Sequence, residues 1–379
     1  MTKALINARV LTPEGFKDKQ SILFRGEKIV AICSDAYRPP DVVVERDLGG
    51  MVLLPGYIDV QVNGGGGVLF NDNPTVEGIK AIGAAHRKFG TTGFFPTLIS
   101  DDLDVMASAI AAVEEAIEQG VPGVLGIHLE GPFLNQEKCG VHDASKFAQI
   151  GPDELALISR LKNGTTIITL APEKTTPEII RTLCQRGIIV SAGHSQASYE
   201  EAIAAMDAGL SGFTHLFNAM KPMHSRYPGI IAAALEDKRS WCSIIADGHH
   251  VHPAMLRLAL RAKAEEQIFL VTDAMPSVGA RDKGFSIGGN KIEVQDGKCT
   301  TGDGTLSGSD LDMNSAVHNA VAYLDIDLAQ AVRMATILPA RFANMQDRLG
   351  EIRPGLQANF VLLSPEQKIV QSWIKGKAL

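Results

Sequence analysis

Between residues 52 and 273 the chain repeats one pattern: a short, nearly continuous apolar run, then a longer stretch with helical periodicity. The runs fall at 52–62, 92–98, 124–130, 166–171, 188–194, 212–217, 243–247 and 268–273. Such runs are what parallel strands require, because both faces of each strand must enter a core. The clearest helical stretches are 102–118, with Asp101 or Asp102 near its start, and 199–208, stopped by Gly209. Eight strand–helix units over roughly 250 residues is the size of a (β/α)8 barrel of the TIM type. A doubly wound open sheet is the competing arrangement.

The two ends read differently. Runs at 4–11, 21–32, 42–48, 360–363 and 369–374 are short and β-rich, separated by turn signals such as Thr12-Pro13-Glu14-Gly15. Residues 1–54 and 348–379 are therefore expected to form a small β-sandwich domain beside a barrel spanning 55–347. Residues 284–297 read as a hairpin inserted after the eighth strand.

Composition narrows the partners. The formal net charge is −7, and no basic block or basic–aromatic stripe occurs, so nucleic acid is not an expected partner. No apolar run approaches the roughly 18 residues of a membrane span, and the first residues lack the pattern of a secretory signal. Five cysteines are scattered at 33, 139, 184, 242 and 299 without a C-x-x-C pair. That usage predicts reduced thiols and a cytoplasmic location.

A barrel places catalytic groups at the carboxyl ends of its strands. Asp59, Gln61 and Asn63 close the first run, His128 and Glu130 the third, and His194 the fifth. His215 lies in the sixth; Asp247 ends the seventh and is followed by His249, His250 and His252; Asp273 ends the eighth. Taken singly, such residues are ordinarily hydrogen-bonded structural groups or helix caps. Their convergence on one rim is the informative feature. Two imidazoles and a carboxylate, His194, His215 and Glu130, form a ligand set that leaves a metal one open position for water. Such a metal acidifies the water and polarises a carbonyl, and Asp273 is placed to act as general base and then acid. The expected cofactor is one divalent transition metal per subunit, Zn²⁺ first, with Fe²⁺, Mn²⁺ or Co²⁺ as alternatives.

Other motifs carry less. Gly193-His-Ser-Gln-Ala197 approaches a nucleophile elbow, but its last position is Ala and no oxyanion segment accompanies it. The Gly64–Gly67 run lacks the Lys-Ser/Thr ending of a phosphate loop. Gly302–Gly308 reads as a tight loop, and His86 and His318 as ordinary helix residues. Arg226, in the polar loop after the sixth run, is a solvated residue unless it borders a pocket, where its planar fork suits phosphate.

Several segments in order, among them Pro55-Gly-Tyr-Ile-Asp59, His128-Leu-Glu-Gly-Pro-Phe133, Leu170-Ala-Pro-Glu173, Thr214-His-Leu-Phe-Asn-Ala-Met220, Val271-Thr-Asp-Ala274 and Gly304-Thr-Leu-Ser-Gly-Ser309, resemble the N-acetylglucosamine-6-phosphate deacetylases of the amidohydrolase superfamily. The resemblance implies hydrolysis of an N-acetylated amino-sugar phosphate, with Glu130, His194 and His215 as metal ligands and Asp273 as acid/base. It further implies that His142 polarises the acetyl carbonyl, that His250, Asn218, Ala219 and the backbone around Leu306 contact substrate, and that Arg226 reaches the phosphate in the neighbouring subunit of a homodimer. Many superfamily members carry His-x-His after the first strand, where this chain has Gln61 and Asn63. Amides are poor transition-metal ligands, so one firmly bound metal is expected, with Gln61 contacting its water. The rival functions are hydrolysis of a cyclic amide or an N-acyl amino acid, and a non-catalytic sugar-phosphate sensor.

Overall fold

The computed structural model describes residues 1–36, 41–263 and 266–379. Among them, eight parallel strands pair each with its neighbour in sequence. They are β1 (Tyr57–Val62), β2 (Thr91–Ile99), β3 (Gly126–Glu130), β4 (Thr165–Leu170), β5 (Ile189–Ala192), β6 (Gly212–Phe213), β7 (Trp241–Ile244) and β8 (Ile268–Leu270). A parallel bridge between Val62 and Ala274 brings the last strand back to the first. The fold is thus the (β/α)8 barrel, and the open-sheet alternative falls. Asp59 staples the seam: its carboxyl group bonds the Thr272 hydroxyl at 2.5 Å and accepts from the Thr272 and Gln61 amides.

A helix follows every strand: Val76–Arg87, Leu103–Glu118, Pro152–Ile158, Pro177–Gln185, Tyr199–Asp207, Gly229–Glu236, Pro253–Ala262 and Met313–Leu324. Their starts obey local chemistry. Ser198 and Glu201 form a reciprocal capping box ahead of Tyr199–Asp207. Asp312 caps Met313–Leu324 by accepting from Ser315. No described helix is long and apolar enough to cross a membrane.

The first apolar run divides in two. Val52–Pro55 leaves the barrel and pairs antiparallel with Phe360–Leu363, joining a sheet that also holds Thr2–Thr12, Gly15–Arg25, Lys28–Ser34 and Val42–Asp47. The break falls at Gly56, where a Cβ would lie 2.0 Å from the Thr92 hydroxyl. The two chain ends thus share a sheet with its own core, including Phe24, Leu53, Phe360 and Trp373.

Beyond β8 the expected hairpin is a larger unit. Phe285–Ile287, Asn290–Gln295, Lys298–Thr300 and Leu306–Ser309 make a four-stranded antiparallel meander. The loop expected at 302–308 therefore contributes its second half to a strand, which pairs with Lys298–Thr300 across a register shift. This sheet packs over the barrel rim through Ile287, Ile292 and Cys299 against Leu69, Ile99 and Met275.

Candidate active site and metal centre

Glu130 is the last residue of β3, while His194, His215 and Asp273 sit just past their strand ends, on backbone that no strand accommodates. His194, His215 and Asp273 have φ of +50°, +36° and +54°, and Ala219 has +49°. Each such residue costs roughly 1 kcal/mol or more, and strain of this kind gathers where the surrounding fold dictates a side chain's aim. For this reason β5, β6 and β8 end earlier than the apolar runs imply: the runs continue to 194, 217 and 273, but the chain turns out of the sheet first.

Glu130, His194 and His215 bring three ligand atoms within 4.8 Å of one another, all buried. His215 Nε2 is 2.9 Å from Glu130 Oε1, and the two Nε2 atoms are 3.1 Å apart. His194 Nδ1 lies 2.8 Å from the Lys138 carbonyl. A carbonyl only accepts, so Nδ1 carries the proton and Nε2 keeps its lone pair for a metal. Burial alone would push the Glu130 carboxyl up, but its bonds to the His194 and His215 rings hold it well below the usual carboxylate range. The donor set is that of a catalytic transition-metal site.

Gln61 does not carry imidazole chemistry; it ties the carboxylates together. Its Nε2 is 3.1 Å from both Glu130 oxygens and 3.1 Å from Asp273 Oδ1. Asn63 Nδ2 donates to the same Asp273 oxygen at 2.7 Å. Gln61 Oε1 and Asn63 Oδ1 are buried with no partner among the described residues, two unspent acceptors that water beside a metal would satisfy. Asp273 is pushed up to about 6, first by burial and then by the charge on Glu130.

His142 lies on the loop after β3, its ring 4.4 Å from that of His194. Burial, reinforced by His194, drives it down to about 3, so it is neutral. The Ser100 amide is 3.2 Å from its Nδ1. An N–H can only donate, which makes Nδ1 the acceptor and puts the proton on Nε2. His128 has a structural role instead. It lies between the Val60 carbonyl at 3.0 Å and the Thr169 hydroxyl at 2.7 Å, and burial takes it down to about 4.

One cavity of about 320 Å³ gathers Glu130, His142, His194, His215, Asn218, Ala219, His250, Asp273 and Leu306, a volume suited to a small ligand. His250 Nδ1 donates to Asp247 at 2.6 Å. Burial opposes charge on Asp247, but its hydrogen bonds with His250 hold it below the usual range. Arg226 does not line this cavity within one chain; it sits in the exposed loop after β6, where its amide donates to His224. The glycine run after β1 serves packing: a Cβ on Gly64 would lie 2.4 Å from the Val68 carbonyl, and His86 holds the Gly64 carbonyl at 2.9 Å.

Three contributors had no role assigned from sequence: Ser100, the Lys138 carbonyl and Glu173. Lys138 acts through its carbonyl, which no residue pattern reveals, and Ser100 through both its amide and its hydroxyl, the latter 2.8 Å from His142 Nδ1. Glu173, after β4, accepts from Asn135 at 2.8 Å, from the Gln196 amide at 2.7 Å and from the Ser195 hydroxyl at 2.7 Å. It was visible only as the end of a Leu170-Ala-Pro-Glu173 segment.

A parallel barrel that gathers two imidazoles, a carboxylate and a second, unligated carboxylate at its carboxyl-end rim is the framework of a barrel hydrolase. The chain belongs to the amidohydrolase family, whose model matches residues 52–379. It is 45% identical over 327 residues to an N-acetylgalactosamine-6-phosphate deacetylase of Shewanella sp. (strain ANA-3), covering 86% of this chain and 83% of that one. It is 34% identical to the N-acetylglucosamine-6-phosphate deacetylase of Haemophilus influenzae, over 100% of this chain and 99% of that one. Its fold superposes on the crystal structure of N-acetylglucosamine-6-phosphate deacetylase from Pasteurella multocida with a TM-score of 0.96, at 34% identity and full coverage of both chains.

Proposed function

We propose that the protein hydrolyses the acetamide of a 6-phosphorylated N-acetylhexosamine, with N-acetylglucosamine 6-phosphate as the expected substrate and glucosamine 6-phosphate and acetate as products. The observation that carries this reading is the cavity in which a Glu/His/His donor set, an unligated Asp273 and a neutral His142 converge. Relatives named for both the gluco and the galacto epimer support the substrate class.

Glu130, His194 and His215 would hold one divalent metal, Zn²⁺ first. When bound, it supplies the Lewis acidity that activates water and polarises a carbonyl. Asp273, steadied by Gln61 and Asn63, takes the proton of the attacking water and later delivers one to the departing nitrogen. His142 donates from Nε2 to the oxygen on which negative charge develops, a contribution that grows toward the transition state.

Asn218, Ala219 and His250 line the same cavity and would orient the sugar and its phosphate. Leu306, on the inserted sheet, would cover the sugar. Arg226, on its exposed loop, would reach the phosphate in the neighbouring subunit of a homodimer.

The test is acetate release from N-acetylglucosamine 6-phosphate and its galacto epimer by metal-loaded, chelated and metal-restored protein. Release that disappears on chelation and returns with metal is expected. No release with any metal would overturn the reading and leave an N-acyl amino acid, a cyclic amide or a sensor role to be tried.

A further inference from the structure

The catalytic cavity is not the largest hollow at the rim. A cleft of about 900 Å³ adjoins it, walled by the loops after β1, β2 and β3 and by the inserted sheet. The two share Ile99, Gly140, Val141, His142 and Thr305 in their walls. The chemistry proposed above makes no use of this cleft.

The layout of the inner cavity indicates what would point toward it. The amide carbonyl is directed at His142 and the Glu130/His194/His215 cluster, and the nitrogen at Asp273. The sugar and phosphate belong with Asn218, Ala219 and His250, which follow β6 and β7. Among the rest of the wall, beside polar groups such as Glu137, Lys138 and Thr305, stand three apolar side chains that the proposed chemistry leaves without a role: Ile99, Val141 and Met275. They offer an apolar wall for the methyl of an acetyl group.

These three residues do not end at the inner cavity. Ile99 and Met275 form one hydrophobic cluster with Leu69 and Ile287, and Val141 packs against it. Leu69 and Ile287 line the outer cleft and not the inner cavity. An apolar strip therefore runs from the wall beside the scissile amide into the larger cleft. Polar groups such as Asn71, Asp101 and Lys291 lie around it.

We propose that this strip is an acyl-side subsite, so that the enzyme also hydrolyses N-acyl hexosamine phosphates whose acyl chain is longer than acetyl. The inference rests on the deacetylase reading and extends it from one acyl group to a class. The reaction is unchanged: the amide C–N bond breaks, the water oxygen enters the carboxylate, and a proton passes to the amine. Added methylenes lie along Met275, Ile99 and Val141 toward Leu69 and Ile287, and each one taken out of water favours binding by up to about fourfold.

The experiment measures amine release from N-acetyl-, N-propionyl-, N-butyryl- and N-hexanoyl-glucosamine 6-phosphate by the metal-loaded protein. The N-butyryl compound is expected to retain kcat/KM within about tenfold of the N-acetyl compound. Ile287 and Ala144 both line the outer cleft and not the inner cavity; Ile287→Phe and Ala144→Phe, made separately, are expected to leave N-acetyl turnover within about twofold and to cut N-hexanoyl turnover by about tenfold or more. N-butyryl turnover below about 1% of N-acetyl would overturn the subsite. So would folded variants that change all four substrates alike. If neither variant folds, the substrate series alone decides. No release from any compound, N-acetyl included, would instead overturn the deacetylase reading and the subsite with it.

Discussion

The Ser100 backbone N–H donates to His142 Nδ1 at 3.2 Å, and that bond fixes which ring nitrogen of His142 carries the proton. A main-chain donor cannot change its role, so the imidazole is a hydrogen-bond donor on its Nε2 side. Burial, with the neighbouring His194, pushes its titration down to about 3, which keeps the ring neutral across the physiological range. His142→Ala is expected to lower kcat by about 10²–10³, the usual effect of losing one oxyanion donor, with metal content unchanged. Steady-state kinetics beside metal analysis decides; a kcat within a few-fold of the parent would remove His142 from the chemistry.

Asp273 accepts from Gln61 and Asn63 on one oxygen, Oδ1. An asparagine there can keep both bonds and still lose the ability to take a proton. Asp273→Asn should retain its metal and its melting temperature while kcat falls by about 10²–10⁴. Near-parental turnover in the metal-loaded variant would mean that another group is the base.

Glu173 gathers three donors: Asn135, whose amide donates to the His194 carbonyl, and the Ser195 hydroxyl and Gln196 amide that follow His194 in the chain. It supports the ligand without touching it. Losing such support typically costs 10–100-fold in metal affinity, and about that loss is expected of Glu173→Ala, with partial recovery in Glu173→Gln. Competition with a chelating dye reads the dissociation constant directly. Unchanged affinity in Glu173→Ala would show that the turn holds itself.

The sequence exposed the barrel because its strands must be apolar on both faces, a demand written directly into residue types. Glu130 could be read as the end of β3, and the structure ends β3 there. His194, His215 and Asp273 were found on the right rim, but the runs holding them were too long, since a positive φ leaves no mark on hydropathy. The split at Gly56 was hidden for a related reason: Leu53 and Leu54 are as apolar as Ile58 and Val60, though the two pairs serve different sheets. The Lys138 carbonyl could not be found at all, because it is a backbone group, and Ser100, which meets His142 through amide and hydroxyl, is brought near only by the fold.

Arg226 is exposed and outside the catalytic cavity of its own chain. The proposed role in phosphate binding is therefore one toward the site of a second subunit. Arg226→Ala is expected to raise KM for the 6-phosphorylated substrate by about tenfold or more, the scale of losing a charge-assisted contact. Unphosphorylated N-acetylglucosamine should be little affected. Equal effects on both sugars would detach Arg226 from the phosphate, and a monomer in sedimentation that retains full activity would do the same.

Asp59 offers a test of the barrel seam itself. Its carboxyl is fully buried, and burial outweighs its three hydrogen bonds to raise it from 3.8 to about 7. The unfolded chain releases this proton near pH 4 and the folded chain only near pH 7. Between those values the native state binds a proton that the unfolded state lacks, so stability from this group falls as pH rises and levels off above about 7. An asparagine mimics the neutral acid: its carbonyl can accept from the Gln61 and Thr272 amides, and its NH₂ can donate to the Thr272 hydroxyl once that hydroxyl turns. Asp59→Asn should therefore match the parent near pH 4 and become progressively more stable than it toward pH 8. Paired melting curves on metal-saturated protein across that range test the claim. A difference that stays constant with pH would mean that Asp59 is ionised in the fold and that its hydrogen bonds, not its burial, govern the seam.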